Sequence, residues 1–171
     1  YHNVGVGCIK ALLEAGIQIG LVVTHADDPH ENIWFASVAA LCQERGIPYV
    51  QPEASDLLEL LPQFQKIVPD YIFSFYYRYL ISTAILDTAR IAALNMHGSL
   101  LPKYRGRAPV NWAVLHGETE TGASLHIMEA KPDAGDIVGQ EAVPIDPDED
   151  ATAVFTKVSN AAVHVMQTAL P

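Results

Sequence analysis

The stretch that decides the fold reads Ile91-Ala92-Ala93-Leu94-Asn95-Met96-His97-Gly98, an apolar run that ends in an amide, an imidazole and a glycine. Such a run is typical of a buried strand. Side chains alternate along a strand, so Asn95 and His97 are predicted to point to the same face. The glycines and proline that follow, through Gly106, predict an irregular loop. Open α/β sheets place their ligand sites at this carboxyl end of a strand.

Helix-like and strand-like segments alternate on both sides of this stretch. Their apolar periodicity predicts helices over residues 7–15, 34–45, 56–68, 82–90, 108–116 and 152–169. The remaining apolar runs predict strands over residues 19–23, 47–50, 71–75, 121–128 and 137–145. This order predicts an α/β fold, with a Rossmann-like, doubly wound and mostly parallel sheet. We expect a single domain over residues 1–171, and no strand or initiator methionine precedes Tyr1, which suggests a fragment of a longer chain.

The composition is typical of a globular and not of a disordered protein. Twenty acidic residues against ten basic ones give a formal charge of −10. This excess of acidic residues disfavours a nucleic-acid partner. Lys103, Arg105 and Arg107 nevertheless form one short basic cluster, which is either a solvated loop or an anion-binding site. No apolar stretch approaches the ~20 residues that span a bilayer, and the start does not resemble a secretory signal. Cys8 and Cys42 are predicted to be reduced thiols, so we expect a cytoplasmic protein without membrane insertion.

Two patterns offer weaker cofactor interpretations. Gly5-Val6-Gly7 resembles the start of a dinucleotide fingerprint, but Lys10 stands where a third glycine would be, so a tight turn is favoured over nicotinamide binding. The histidines show no HExxH motif and no cysteine at ligand spacing, which favours ordinary surface or site roles over a metal centre. Four of them are candidates to meet at one edge of the sheet, although nothing in their spacing requires it: His2, His25, His97 and His126.

Asp133 has two interpretations. An acid beside Ala134-Gly135 in a short loop is common in turns. The alternative is that its carboxylate lies near His97, where it would orient the imidazole and raise its pKa. The aromatic run from Tyr76 to Ile81 also has two interpretations. Its side chains either pack in the core or line a slot for a flat heterocycle.

Together these residues resemble the folate-dependent formyltransferases over nearly the whole chain. The family's Asn-x-His followed by Ser-Leu-Leu-Pro-Lys is present from Asn95 to Lys103, and its Asp-Ala-Gly is present at Asp133. The resemblance implies the formyltransferase fold, here without its first strand and its C-terminal subdomain. It also implies catalysis by Asn95, His97 and Asp133, with 10-formyltetrahydrofolate as co-substrate and no metal.

The resemblance further implies where the substrates bind. Folate contacts are expected from Tyr79, Leu80, Ile81, Arg107, Glu129, Ala130, Lys131, Pro132 and Asp133. The runs 73–78, 97–109 and 116–122 are similar to formyltransferases that act on UDP-4-amino-4-deoxy-L-arabinose, which implies a nucleotide sugar as partner and a role in lipid A modification, lipopolysaccharide biosynthesis and polymyxin resistance. Methionyl-tRNA or glycinamide ribonucleotide as acceptor, a non-catalytic nucleotide-binding domain, and a homo-oligomer formed through missing regions stay open as alternatives.

Overall fold

The computed structural model describes residues 1–26, 30, 33–53 and 57–169. Two compact units make up the chain, Tyr1–Ala93 and Leu94–Pro171. The first unit carries α1 His2–Glu14, β1 Val22–Val23, α2 Val38–Arg45, β2 Tyr49–Val50, a 3-10 turn Leu57–Leu60, α3 Leu61–Ile67, β3 Tyr71–Phe75 and α4 Thr83–Leu86. Strand β4 Ala92–His97 begins in the last two residues of the first unit and continues into the second. The second unit then carries α5 Pro109–Leu115, β5 Glu120–Ile127, β6 Ile137–Pro144 and α6 Ala151–Ala169. The start predicted for the third helix, at position 56, lies outside the described residues.

The alternation of strands and helices confirms the predicted α/β, Rossmann-like class. In the first unit β1 and β2 pair in parallel, and α1 and α2 share an apolar core. Gly5 lies inside α1, where an added Cβ would be 3.1 Å from a methyl group of Val38. The Gly5-Val6-Gly7 segment therefore serves close helix packing and does not form the turn of a dinucleotide fingerprint.

Helix α2 shows how local capping sets the bounds of an element. Ser37 caps its start by accepting a hydrogen bond from the Ala40 N–H at 3.4 Å, so the helix begins later than the predicted position 34. Gly46 ends it in the left-handed conformation, with φ of 64°, as the sequence predicts.

Helix α4 is one turn long, although the sequence predicts a helix over residues 82–90. The Arg90 N–H donates to the Pro69 carbonyl at 2.9 Å, and the Arg90 guanidinium pairs with Asp70 at 2.9 Å. The backbone after α4 forms tight local turns through Ala89, and from Arg90 onward it is hydrogen-bonded to Pro69 and Asp70, where the helical hydrogen bonding ends.

The second unit is built on antiparallel pairing, in contrast to the parallel β1–β2 pair. Strand β5 pairs with β4 on one side and with β6 on the other. Helix α6 packs on β5 and β6 through a buried stripe, as its predicted periodicity indicates: Val154, Val158, Ala161, Ala162, Val165 and Met166. Gly122 on β5 permits the close pairing, because a Cβ there would lie 2.0 Å from the Glu141 carbonyl oxygen. No helix in the described ranges is long and apolar enough to cross a bilayer.

Candidate active site

The pairing of β4 with β5 places four polar residues side by side. Asn95 is opposite His126, and His97 is opposite Ser124. Residues opposite each other in a sheet project to the same face, as do residues two apart along one strand. The imidazoles of His97 and His126 are 6% and 1% exposed, so this polar face lies inside the second unit.

A short loop between β5 and β6 adds the carboxylate of Asp133 to this face. The loop closes tightly, because the Ile127 N–H donates to the Asp136 carbonyl at 2.9 Å and Gly135 leaves no room for a Cβ beside the Ile127 carbonyl. Asp133 itself lies in the turn with φ of 52°. It is therefore a turn residue and also a neighbour of His97, which joins the two interpretations of its sequence context.

Each oxygen of Asp133 has its own set of contacts. Oδ2 accepts a hydrogen bond from the Gly106 N–H at 2.8 Å. Oδ1 lies 3.6 Å from Nδ1 of His97 and 3.4 Å from Nε2 of His126. Burial is the largest influence on this carboxyl and raises its pKa, but the contacts with His126, Gly106 and His97 outweigh it, so the pKa of Asp133 is lowered. Asp133 is thus held as a carboxylate against both imidazoles.

The two ring nitrogens of His97 have different surroundings. Nε2 lies 2.8 Å from the Tyr104 carbonyl oxygen, which can only accept, so Nε2 carries the hydrogen. Nδ1 is left facing Asp133. Burial, the largest influence, lowers the pKa of His97; the Tyr104 carbonyl and Asp133 raise it, and His126 lowers it further. Asp133 thus raises the pKa of His97 as expected, but burial outweighs it, so the net shift is downward.

The loop after β4 is anchored from β5 and β6. The Ser124 hydroxyl donates to the Ser99 carbonyl at 2.6 Å and accepts from the Leu101 N–H at 3.1 Å. The Gln140 amide on β6 donates to the Ser124 Oγ at 2.7 Å and to the Leu101 carbonyl at 3.1 Å. These bonds fix the backbone that leaves the Asn-x-His strand.

Tyr104 completes this anchoring at the far end of the loop. Its hydroxyl donates to Glu118 at 2.7 Å, and its backbone has a positive φ of 54°. A positive φ is unfavourable for a bulky side chain and persists where surrounding contacts impose it. In this conformation the Tyr104 carbonyl oxygen lies within hydrogen-bond distance of Nε2 of His97.

The expected folate residues lie in both units. Glu129, Ala130, Lys131 and Pro132 form the exposed part of the loop that leads to Asp133, and Arg107 is exposed beyond Gly106. In the first unit, Tyr79 and Leu80 follow β3 and are 43% and 79% exposed. Ile81 comes next and is half-buried. Among the described residues, no group of three or more histidine, cysteine, aspartate or glutamate side chains is arranged to hold a metal ion.

Sequence reasoning missed the contact between His126 and Asn95. The sequence groups His126 only with three other histidines, and nothing in its spacing indicates an amide partner. The usable signal was a polar residue in phase with Ser124 on an otherwise apolar strand, since such a residue at a buried position needs a partner.

The chain is similar to known proteins in both sequence and structure. Residues 6–170 match the family model described as formyl transferase. The glycinamide ribonucleotide transformylase 1 of Geobacillus kaustophilus is similar in structure, with 24% identity and a TM-score of 0.78 over 97% of this chain and 92% of that chain. The phosphoribosylglycinamide formyltransferase of Bacillus halodurans has 21% identity and a TM-score of 0.81 over 96% and 87%. An N-formyltransferase of Helicobacter canadensis, solved with folinic acid and dTDP-3-aminofucose, has 20% identity and a TM-score of 0.78 over 98% and 59%. At these identities the structural likeness shows a shared fold.

Proposed function

Since the chain belongs to the formyl transferase family, whose enzymes use 10-formyltetrahydrofolate, we propose that it transfers the formyl group of this co-substrate to the amine of a UDP-linked 4-amino sugar. The observation that carries the proposal is the contact of the Asp133 carboxylate with His97, beside Asn95 on the same strand. These residues are the catalytic set that the resemblance implies. Their arrangement suits a reaction that needs a hydrogen-bond donor and a proton carrier.

Formyl transfer creates a tetrahedral centre with a negative oxygen. The lone pair of the acceptor amine attacks the formyl carbon, and the bond between that carbon and N10 of the folate then breaks. In the proposed mechanism an amide N–H of Asn95 donates to the developing oxyanion. Removing one such donor typically costs about 3 kcal/mol of barrier.

His97 carries the proton from the amine to the departing nitrogen. Its lowered pKa leaves the ring neutral near pH 7, with Nε2–H donated to the Tyr104 carbonyl. Nδ1 is then the atom that takes a proton from the attacking amine and returns it to N10 of the folate. The imidazolium formed in between is stabilised by Asp133 Oδ1 at 3.6 Å. The whole sequence uses no covalent intermediate.

The acceptor is inferred from sequence similarity, charge and one neighbour. The runs 73–78, 97–109 and 116–122 favour UDP-4-amino-4-deoxy-L-arabinose, which suggests a cytoplasmic role in lipid A modification and polymyxin resistance. A formal charge of −10 opposes the binding of a tRNA stem. The Helicobacter canadensis protein was solved with a nucleotide-linked amino sugar, which supports this class of acceptor. In this proposal the exposed Arg107 and the loop 129–133 of the second unit contact the folate.

An acceptor panel tests the proposal. The natural polypeptide that carries this chain is incubated with 10-formyltetrahydrofolate and one of four acceptors: UDP-4-amino-4-deoxy-L-arabinose, glycinamide ribonucleotide, methionyl-tRNA or water alone. Mass spectrometry should detect a gain of one formyl group on the nucleotide sugar. The folate should also raise the melting temperature, whereas NAD should not. Efficient formylation of glycinamide ribonucleotide or tRNA, or release of formate alone, would overturn the proposed acceptor.

A further inference from the structure

The ring of His126 is almost wholly buried, and both of its nitrogens have partners. Nδ1 lies 2.8 Å from the Ile127 carbonyl oxygen. A carbonyl oxygen only accepts, so Nδ1 is the nitrogen that carries the hydrogen. In the neutral ring Nε2 is then left with a lone pair and can accept a hydrogen bond. The tautomer of His126 is therefore set by its own strand.

Nε2 of His126 lies 3.1 Å from Nδ2 of Asn95. Because Nε2 is the acceptor in this pair, the NH2 group of the amide faces the ring and the amide oxygen faces away. One N–H of Asn95 is thereby used, and the second N–H remains to donate to another group. With the opposite tautomer, Nε2 would donate, and the amide would rotate by half a turn to present its oxygen.

We propose that His126 is a positioning residue that fixes the Asn95 amide with one N–H free for the formyl oxygen. The inference rests on the proposed formyl transfer and goes beyond its Asn/His/Asp set. The groups that face the His126 ring are Asn95 and His97 from β4 and the Asp133 carboxylate from the loop. An apolar side chain would fill the same buried space but would leave the Asn95 amide without this hydrogen-bond partner.

Two amide substitutions separate the ring nitrogens of His126. His126→Gln keeps a polar group at the distance of Nε2, where its carbonyl oxygen can accept from Asn95. His126→Asn keeps a polar group near Nδ1 and loses the one that reaches Asn95. We expect His126→Asn to lower kcat on the order of 10²-fold, in the range known for a misplaced oxyanion donor, with the KM for the folate unchanged. His126→Gln should recover most of the lost rate.

The pH profile distinguishes positioning from proton transfer. His126→Gln should retain the shape of the wild-type profile, because His97 carries the proton. Loss of one limb of the profile in this variant would show that His126 titrates in the reaction and would overturn the positioning role. Equal turnover of wild type and His126→Asn would overturn it as well.

A measurement on the resting wild-type protein makes the inference independent of activity. The ¹⁵N shifts of the imidazole nitrogens should show the Nδ1–H tautomer at His126, with an unprotonated Nε2. The Nε2–H tautomer would overturn the inference even if the variants fail to fold. If the wild type transfers no formyl group to any amine while the Nδ1–H tautomer is observed, it is the proposed function that fails, and the orientation of Asn95 stands.

Discussion

Replacing Asp133 by Asn removes a charge while preserving the shape of the side chain. The amide oxygen can still accept from the Gly106 N–H, so the turn should persist. The new NH2 group faces Nδ1 of His97 and Nε2 of His126, where the carboxylate oxygen was. The NH2 group would donate hydrogen bonds to the lone pairs of these two nitrogens. Because only the neutral imidazoles have those lone pairs, the substitution would favour the neutral form of both histidines. The pKa of His97, already below its ordinary value, should fall further.

The size of the effect follows from the separation of the charges. Opposite unit charges about 4 Å apart interact by about 4 kcal/mol at an effective dielectric constant near 20. The Asp133 side chain is 13% exposed, so contact with water reduces this figure to about 3 kcal/mol. If the imidazolium forms in the transition state, kcat should fall between 10²- and 10³-fold. Folate binding should change little, because the lost interaction is made in the transition state.

Three measurements check this prediction. Single-turnover formyl transfer gives the rate, NMR titration gives the pKa of His97, and calorimetric titration with the folate gives the affinity. Asp136→Asn is a matched control, since Asp136 is an exposed acid in the same loop. Its backbone carbonyl, which accepts from Ile127, is retained. An unchanged rate and an unchanged pKa in Asp133→Asn would refute the coupling and return Asp133 to a turn role alone.

Three further predictions concern pH and the β5–β6 pair. Because the neutral form of His97 accepts the proton and its pKa is lowered, kcat/KM should rise with pH along an acid limb whose midpoint lies below 6.5; a midpoint above 6.5 would contradict the assignment. Because His97 is buried as a neutral ring, unfolding below pH 6.5 takes up a proton. The free energy of unfolding should therefore decrease as the pH falls from 6.5 to the pKa of folded His97. Denaturation at several pH values would measure this decrease. Gly122→Ala should reduce the free energy of unfolding by more than about 3 kcal/mol, because its Cβ would lie 2.0 Å from the Glu141 carbonyl oxygen. Gly46→Ala is the control, because an added Cβ there would meet open space and only the φ of 64° is unfavourable. This substitution should reduce the free energy of unfolding by only about 1 kcal/mol. Equal reductions for both variants in urea denaturation would refute the steric argument.

The parts of the structure that follow from local sequence were predictable. The strand that carries Asn95 and His97 has a continuous apolar run, and helix α6 has a clear stripe, so both are present where the pattern places them. Gly46 marks the end of α2 for a local reason, its left-handed backbone. The proximity of Asp133 to His97 was expected only through the family resemblance, since the two residues are 36 positions apart and their contact depends on the fold.

Features that depend on long-range contacts could not be predicted. Strands β1 and β2 are two residues each, although the apolar runs around them are longer, because only those residues pair. The sequence of an individual strand does not show whether its neighbour runs parallel or antiparallel, so the antiparallel β4–β5–β6 pairing could not be predicted. The tautomers of His97 and His126 depend on carbonyl groups at Tyr104 and Ile127. For the same reason the lowered pKa of His97 could not be inferred from its neighbours in the sequence.

The contact between Gln140 and Ser124 has a consequence for how β6 finds its alignment. Strand β6 is largely exposed, so burial of apolar side chains gives it little preference among registers that differ by two residues. Such a slip would place Val138 or Ala142 opposite Ser124, and neither side chain has a hydrogen-bond donor. Gln140 thus specifies one alignment through its bond to the buried Ser124, as a single polar residue selects the register of a coiled coil. Substituting it should first appear as conformational heterogeneity, with duplicate NMR signals along β6, before any general loss of stability.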